Sequence, residues 1–177
     1  MKRAAIVLLA PFLLMMQGAA SKKCLFVNSY HTGYPWSDGI EKAISKTLEG
    51  KCEYQHIEMD TKRNPTPEYA QKKALEIKAH IETWKPDVVI TSDDNASKYL
   101  GVPYFKDSPI PFVFCGVNWS VSEYGYPFKN TTGMVEILAI EPLLVEVKRI
   151  VPGTKAGVCI GPDNESESKN CGRYAKT

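Results

Sequence analysis

Residues 86–100 read PDVVITSDDNASKYL and place a short apolar run directly before a polar turn. The run VVIT is nearly continuous in apolar and β-branched residues, which is typical of a strand covered on both faces. The residues DNASKYL predict a short helix immediately afterwards. A strand that passes into a helix is the repeating unit of parallel sheets, so this stretch favours an α/β fold.

The same alternation of strand and helix extends on both sides of this stretch. CLFVNS (24–29) predicts one strand, and CEYQHIEMD (52–60) predicts another more weakly, because charged residues interrupt it. PFVFCG (111–116), TTGMVEI (131–137) and KAGVCIG (155–161) predict three more, and 162–170 reads as a loop that enters a helix. Right-handed crossovers then give a Rossmann-like or flavodoxin-like, mostly parallel sheet with helices on both faces.

Three further helices are predicted from capping residues and apolar spacing. The first has Asp38 and Glu41 as a capping pair and ends at Gly50. The second is capped by Thr66 and carries a proline in its first turn. The third is amphipathic, spans 141–151 and ends at a Pro-Gly pair.

Polar and aromatic residues follow the predicted strands. In parallel sheets the carboxyl ends of the strands share one edge, and ligands bind beyond that edge. Rings there offer broad contact at low entropic cost, and their polar tips fix the orientation of a ligand. The sequence therefore predicts a ligand-binding site formed by Ser29, Tyr30, His31, Tyr34, Trp36, Asp60, Asp93, Asp94, Asn95, Gly116 and Asn118.

Two parts of this site have a structural alternative. Tyr34 and Trp36 are equally consistent with rings that cover the end of the sheet. Asp94 is equally consistent with a helix cap that accepts hydrogen bonds from backbone donors. Asp93 is therefore the better candidate to accept a hydrogen bond from a ligand amine or hydroxyl group.

The N-terminal residues 1–20 predict a secretory signal peptide that is cleaved after Ala20. Lys2 and Arg3 precede an apolar run, and small residues stand where a signal peptidase requires them. The run is too short for a transmembrane helix, which needs about twenty residues; an uncleaved membrane anchor is the alternative. We therefore expect a periplasmic or otherwise extracytoplasmic protein.

The charge of the mature chain gives no electrostatic basis for binding nucleic acid. The sequence has 22 basic and 20 acidic side chains, so removal of Lys2 and Arg3 leaves 20 of each. A balanced charge disfavours nucleic acids and acidic membranes as partners. We expect a small neutral or zwitterionic ligand, or a protein partner.

The reactive side chains do not predict an enzyme. The three histidines are dispersed, neither HExxH nor GxSxG occurs, and no cofactor or metal constellation emerges. None of the five cysteines forms a CxxC pair. Cys24 and Cys52 open neighbouring strands and lie where a disulfide could form, with buried free thiols as the alternative; Cys115 is then the odd cysteine.

Several ordered motifs carry a resemblance to a known family. VNSYHTGYPWSDGI, VVITSDDNASKYL, PFVFCGVN, TTGMVEI and IVPGTKAGVCIG occur in this order over about 24–170. Together they resemble the substrate-binding proteins of a poorly characterised group of bacterial ABC importers with type I periplasmic-binding-protein architecture. They also resemble the related extracytoplasmic sensor domains of signalling receptors.

The resemblance implies a clamshell of two Rossmann-like lobes that close on a small ligand. Residues 21–136 then form the N-terminal lobe, and 137–177 form the incomplete start of the second, so the chain is expected to be a fragment or a truncated product. The implied function is capture of a small molecule for an ABC permease in the membrane. The implied alternative is ligand sensing for a receptor such as a histidine kinase.

Overall fold

The computed structural model describes residues 21–157, which form a five-stranded parallel sheet with the order β2-β1-β3-β4-β5. The strands are β1 (Lys23–Asn28), β2 (Glu53–Glu58), β3 (Val88–Ser92), β4 (Phe112–Asn118) and β5 (Thr131–Glu136). The helices are α1 (Pro35–Leu48), α2 (Pro67–Trp84), α3 (Asp93–Ala96), α4 (Val102–Phe105) and α5 (Ile140–Ile150).

The predicted α/β class is confirmed, with the strand order of flavodoxin-like folds. All strands pair in parallel, including the weakly predicted β2. Residues 155–157 have no regular structure. The rest of the predicted sixth strand, the loop at 162–170 and the signal peptide lie outside the described residues.

The core lies mainly between the sheet and α2. Leu25 and Val27 of β1 are fully buried on one face, where they pack with Ile77 and Ile81 of α2. Phe26 points to the opposite face, where α1 packs against β1. Helices therefore cover both faces of β1, which explains its continuous apolar sequence.

Two helices differ from their predicted form. Helix α1 begins at Pro35 rather than at the Asp38 pair, because proline is preorganised for the first helical turn. The Asp38 carboxylate instead accepts a hydrogen bond from the backbone N–H of Gly33, 2.9 Å away. The helix predicted from DNASKYL is longer, since α3 continues through a π-helical turn at Ser97–Gly101 into α4.

A disulfide joins Cys24 and Cys52, with their Cα atoms 6.1 Å apart. It links β1 to the residue that precedes β2, as expected for cysteines on neighbouring strands. Cys115 is a half-buried free thiol. Cys159 and Cys171 lie outside the described residues.

The C-terminal part of the described chain exposes apolar side chains. Helix α5 has no buried residue, and its Leu143 and Ile150 are 60% and 65% exposed. Met134 of β5 is 73% exposed. Nothing within residues 21–157 covers these side chains, and no helix in that range is both long and apolar enough to cross a membrane.

Candidate functional site

The strand order places a topological switch point between β1 and β3. From β1 the chain crosses to β2 on one side, and β3 lies on the other side. In open α/β sheets this is the position beyond the carboxyl ends of the strands at which ligands bind. The predicted site residues follow these strands. We call this edge of the sheet the carboxyl rim, formed by residues 29–34, 60–62, 92–96 and 116–119.

Ser29 connects the ends of β1 and β3 at the carboxyl rim. Its hydroxyl donates to the carbonyl of Ser92 and accepts a hydrogen bond from the backbone N–H of Ala96, 2.8 Å away. Ser29 is fully buried. It therefore fixes the start of α3 relative to β1, and its hydroxyl has both a donor and an acceptor partner within the protein.

Thr61 connects the same region to the end of β2. Its hydroxyl donates to the carbonyl of Ser29 and accepts from Nδ2 of Asn95, both at 2.7 Å. The backbone N–H of Asp60 donates to the carbonyl of Tyr30 at 3.0 Å. The carboxyl ends of β1, β2 and β3 therefore converge, and the sequence analysis had missed Thr61.

Asp94 connects β3 to the segment after β4. One carboxylate oxygen accepts from Nδ2 of Asn118 and the other from the hydroxyl of Tyr124, both at 2.7 Å. The N-cap residue is Ser92, so the alternative that made Asp94 a helix cap is wrong. Its carboxylate is occupied by side chains that come from distant parts of the sequence.

Asp93 differs from its neighbour, because its Oδ2 atom has no hydrogen-bond partner among the described residues. The residue is only 4% exposed. Burial raises the pKa of its carboxyl group to about 8, and the nearby carboxylates of Asp94 and Glu136 add to this, whereas Lys62 opposes it. Asp93 is thus a carboxylic acid that is protonated at neutral pH.

The backbone at the carboxyl rim adopts left-handed conformations after three strands. Asp60, Asp93 and Trp119 have φ of 56°, 66° and 62°, and Gly116 has φ of 66°. This conformation is costly for side chains other than glycine, asparagine and aspartate, and such residues concentrate at functional sites. Trp119 is the bulkiest of these residues. It directly follows the predicted site residue Asn118, but the sequence analysis did not include it in the site.

Lys62 is a further rim residue that the sequence analysis missed. Its ammonium group lies 4.7 Å from the ring centre of Tyr30 and 4.6 Å from that of Tyr34, and it donates to the Tyr34 hydroxyl at 3.3 Å. The two rings meet edge to face. The two tyrosine rings therefore hold the Lys62 ammonium group by cation–π attraction. Lys62 lies two residues after Asp60, and this nearness to a predicted site residue was the signal that could have identified it.

Asp60 and His31 lie together at the outer part of the carboxyl rim. Arg63 donates two hydrogen bonds to the Asp60 carboxylate, at 2.7 and 2.9 Å, and this pairing lowers the pKa of Asp60. His31 Nδ1 is 3.4 Å from the same carboxylate. Asp60 is thus paired within the protein, which leaves Asp93 as the rim aspartate with an unpartnered oxygen.

The two remaining predicted residues are Gly116, within the carboxyl rim, and Trp36, which lies outside it in α1. Gly116 packs beside Asp93, since an added Cβ would be 3.6 Å from the Asp93 backbone nitrogen. Trp36 lies in the first turn of α1 and is 47% exposed. Among the described residues, no group of three or more His, Cys, Asp or Glu side chains is arranged to hold a metal ion.

Comparison with known proteins identifies the fold. No family model matches the sequence, and no curated protein matches it. A substrate-binding protein with adhesive properties from Clostridium difficile, in its ligand-free open form, matches 88% of this chain and 52% of its own, with a TM-score of 0.59 and 18% identity. A conserved domain protein from Vibrio cholerae matches 75% of this chain and 45% of its own, with a TM-score of 0.56 and 18% identity.

This likeness is one of fold. The sheet and helices match one lobe of a substrate-binding protein, and the chain spans about half the length of both neighbours. At 18% identity the comparison does not extend to ligands or partners. Function has to be argued from the carboxyl rim itself.

Proposed function

We propose that this protein binds a small solute in the crevice at the carboxyl rim and does not catalyse a reaction on it. The observation that carries the proposal is the buried Asp93 carboxyl group, whose Oδ2 atom has no hydrogen-bond partner within residues 21–157. Buried polar groups are normally hydrogen-bonded, so an unpartnered one at a topological switch point favours a ligand contact. Tyr30, Tyr34 and Asn95 are the proposed neighbouring contacts.

We further propose that the protein has type I periplasmic-binding-protein architecture, serves an ABC importer and delivers its ligand to a membrane permease. The ordered motifs of the sequence support this assignment, and the fold of the two neighbours agrees with it. In this proposal residues 21–136 form the first lobe, and 137–177 begin the second. The exposed apolar face of α5 supports this division, because such a face normally packs against further chain.

We place the protein outside the cytoplasm. Residues 1–20 have the pattern of a signal peptide, and disulfides such as Cys24–Cys52 persist in oxidising compartments. A periplasmic or extracellular binding protein would meet its solute there.

A thermal-shift screen of the full chain against amino acids, nucleosides and sugars tests solute binding. A ligand of the native state raises Tm by mass action. Substitution of Asp93 or Tyr30 by alanine should abolish the shift, whereas Lys78→Ala, which removes an ion pair with Glu82 within α2, should retain it. The proposal fails if no compound raises Tm, or if the shift persists in both rim variants.

A further inference from the structure

We propose that the solute carries a protonated amine, which binds the Asp93 carboxylate as the Asp93 proton is released to solvent. This inference rests on the proposed function and specifies its ligand class. The ammonium group keeps its protons and donates one to Asp93 Oδ2 in a hydrogen bond. The proton that leaves is that of the carboxylic acid, so the bound pair has no net charge.

The hydrogen bonding of the two adjacent aspartates supports this inference. Both Asp94 oxygens accept hydrogen bonds from protein groups. Asp93 is only 4% exposed, and its Oδ2 atom accepts none from the part of the chain that the structure describes. A buried carboxylate without a donor carries a large desolvation cost. A donor brought by the ligand would remove that cost, and a positively charged donor would do so most strongly.

The charges around Asp93 favour a cation over an anion. Asp94 on the same helix and Glu136 at the end of β5 supply two carboxylates. The opposing group is the Lys62 ammonium, which the rings of Tyr30 and Tyr34 hold. The remaining titratable neighbour is the Cys115 thiol of β4, whose pKa burial raises to about 11, so it is neutral.

The backbone around Asp93 leaves space for one atom near its Oδ1. Asp93 and Gly116 both adopt φ of 66°, and they face each other across the ends of β3 and β4. An added Cβ at Gly116 would lie 3.7 Å from Asp93 Oδ1, in van der Waals contact with it. Glycine at this position therefore leaves room for a ligand atom beside the carboxyl group.

Proton release makes amine binding depend on pH. The Asp93 pKa of about 8 means that the acid is protonated at pH 6. A bound ammonium group favours the carboxylate, so each bound amine displaces about one proton at pH 6 and about half a proton at pH 8. The apparent Kd should fall about ninefold between pH 6 and pH 7 and about fivefold between pH 7 and pH 8, while simple alkylamines stay protonated.

Matched pairs of compounds test the ligand class on the full chain. The pairs are tyramine with 4-ethylphenol, putrescine with 1,4-butanediol, and glucamine with sorbitol, each assayed by thermal shift at pH 6 and pH 8. For an amine that raises Tm, calorimetry in phosphate and Tris buffers counts the protons released. Asp93→Asn removes the carboxyl group, and Asp87→Asn is a matched change at an exposed aspartate far from the carboxyl rim.

The expected result is stabilisation by the amine of at least one pair, greater at pH 8, with about one proton released at pH 6 and about half a proton at pH 8. Asp93→Asn should abolish binding, and Asp87→Asn should retain it. Equal binding of the neutral member, or binding without proton release, overturns the inference and leaves the proposed function intact. If neither these compounds nor the broader screen contains a ligand, the inference and the proposed function are both overturned.

A second measurement does not depend on how the variant folds. The carboxyl carbon of Asp93 in the unsubstituted protein can be followed by 13C NMR at pH 7. Addition of the binding amine should move its resonance to the ionised position. A resonance that stays at the protonated position would contradict the inference.

Discussion

Two consecutive aspartates at the start of α3 differ in their hydrogen bonding because their surroundings differ. Asp94 accepts from two donors, Asn118 and Tyr124. Asp93 is buried with one oxygen that has no partner among the described residues, and burial and the neighbouring carboxylates raise its pKa. The sequence predicted that this pair lies at the carboxyl rim, and it preferred Asp93 as the ligand residue. It did not predict this difference in hydrogen bonding, because the donors to Asp94 lie 24 and 30 residues further along the chain.

The raised pKa of Asp93 predicts how Asp93→Asn changes stability with pH. Between the unfolded value of 3.8 and the folded value of about 8, the native protein binds one proton more than the unfolded chain. The stabilisation of the native state by protonated Asp93 is therefore complete below pH 4. It is lost as the pH rises toward 8, at about 1.4 kcal/mol for each unit of pH. Asparagine tolerates the same left-handed backbone and does not ionise, so the stability of Asp93→Asn should not fall in this way as the pH rises.

We expect the free energy of unfolding of Asp93→Asn, relative to the unsubstituted protein, to rise by roughly 2 to 3 kcal/mol between pH 5 and pH 7. Urea denaturation at the two pH values measures this difference. Asp87→Asn is the control, because the lowered pKa of Asp87 gives no loss of stability in this window. A difference that is constant with pH would show that Asp93 is ionised throughout.

Removal of the Asp94 carboxylate should destabilise the protein. In Asp94→Ala, the Asn118 amide and the Tyr124 hydroxyl lose their acceptor, which costs about 1 to 3 kcal/mol for each donor left buried. Asp87→Ala should cost less, since its pairing with Lys22 is exposed. Urea denaturation that gives equal losses for the two variants would contradict the assigned network.

At the scale of elements, β4 and β5 approach so closely that one position in β5 requires glycine. An added Cβ at Gly133 would lie 2.0 Å from the backbone oxygen of Phe114. Phe114 is also where the pairing of β4 with β5 becomes irregular, with a register shift between Phe114 and Val117. The sequence predicted β5 from its apolar and β-branched residues, but it contained no signal for the close approach.

Gly133→Ala should therefore separate β5 from β4 and lower the free energy of unfolding by at least about 2 kcal/mol. Gly39→Ala in α1 is the matched control, because an added Cβ there meets no atom within 4 Å. It should stabilise the protein by about 0.5 to 1 kcal/mol through helix propensity. Comparable effects of the two substitutions in urea denaturation would mean that the strands are further apart than described.

Local patterns predicted the elements better than their ends. Thr66 caps α2 as expected, with its hydroxyl accepting from the backbone N–H of Tyr69. The predicted start of α1 at the Asp38 capping pair was wrong, because the helix begins three residues earlier at Pro35. The π-helical turn that follows α3 was also missed, since it depends on packing rather than on residue type.

At the scale of the molecule, the Cys24–Cys52 disulfide joins two strands across a sequence separation of 28 residues. Restriction of the unfolded chain by such a loop contributes roughly 3 kcal/mol. Reduction with dithiothreitol should lower the urea midpoint accordingly, and Cys115→Ser should change it little because that thiol is free. Alkylation of Cys24 and Cys52 without reductant would contradict the pairing.

The fold as a whole followed from the alternation of strands and helices, because right-handed crossovers leave few arrangements of such units. The convergence of Ser29, Asp94 and Asn118 followed from the same rule. The contact of Lys62 with Tyr30 and Tyr34 did not follow from this rule, because it depends on how the loop after β2 folds over the two rings.

The central claim is that the carboxyl rim, rather than the opposite edge of the sheet, binds the solute. Amide 15N NMR of the full chain, with and without a compound that raises Tm, tests it most directly. We predict that the perturbed amides cluster at 29–34, 60–62, 92–96 and 116–119. Perturbations confined to the loops of the opposite edge, at 49–52, 85–87 and 106–111, would contradict the claim.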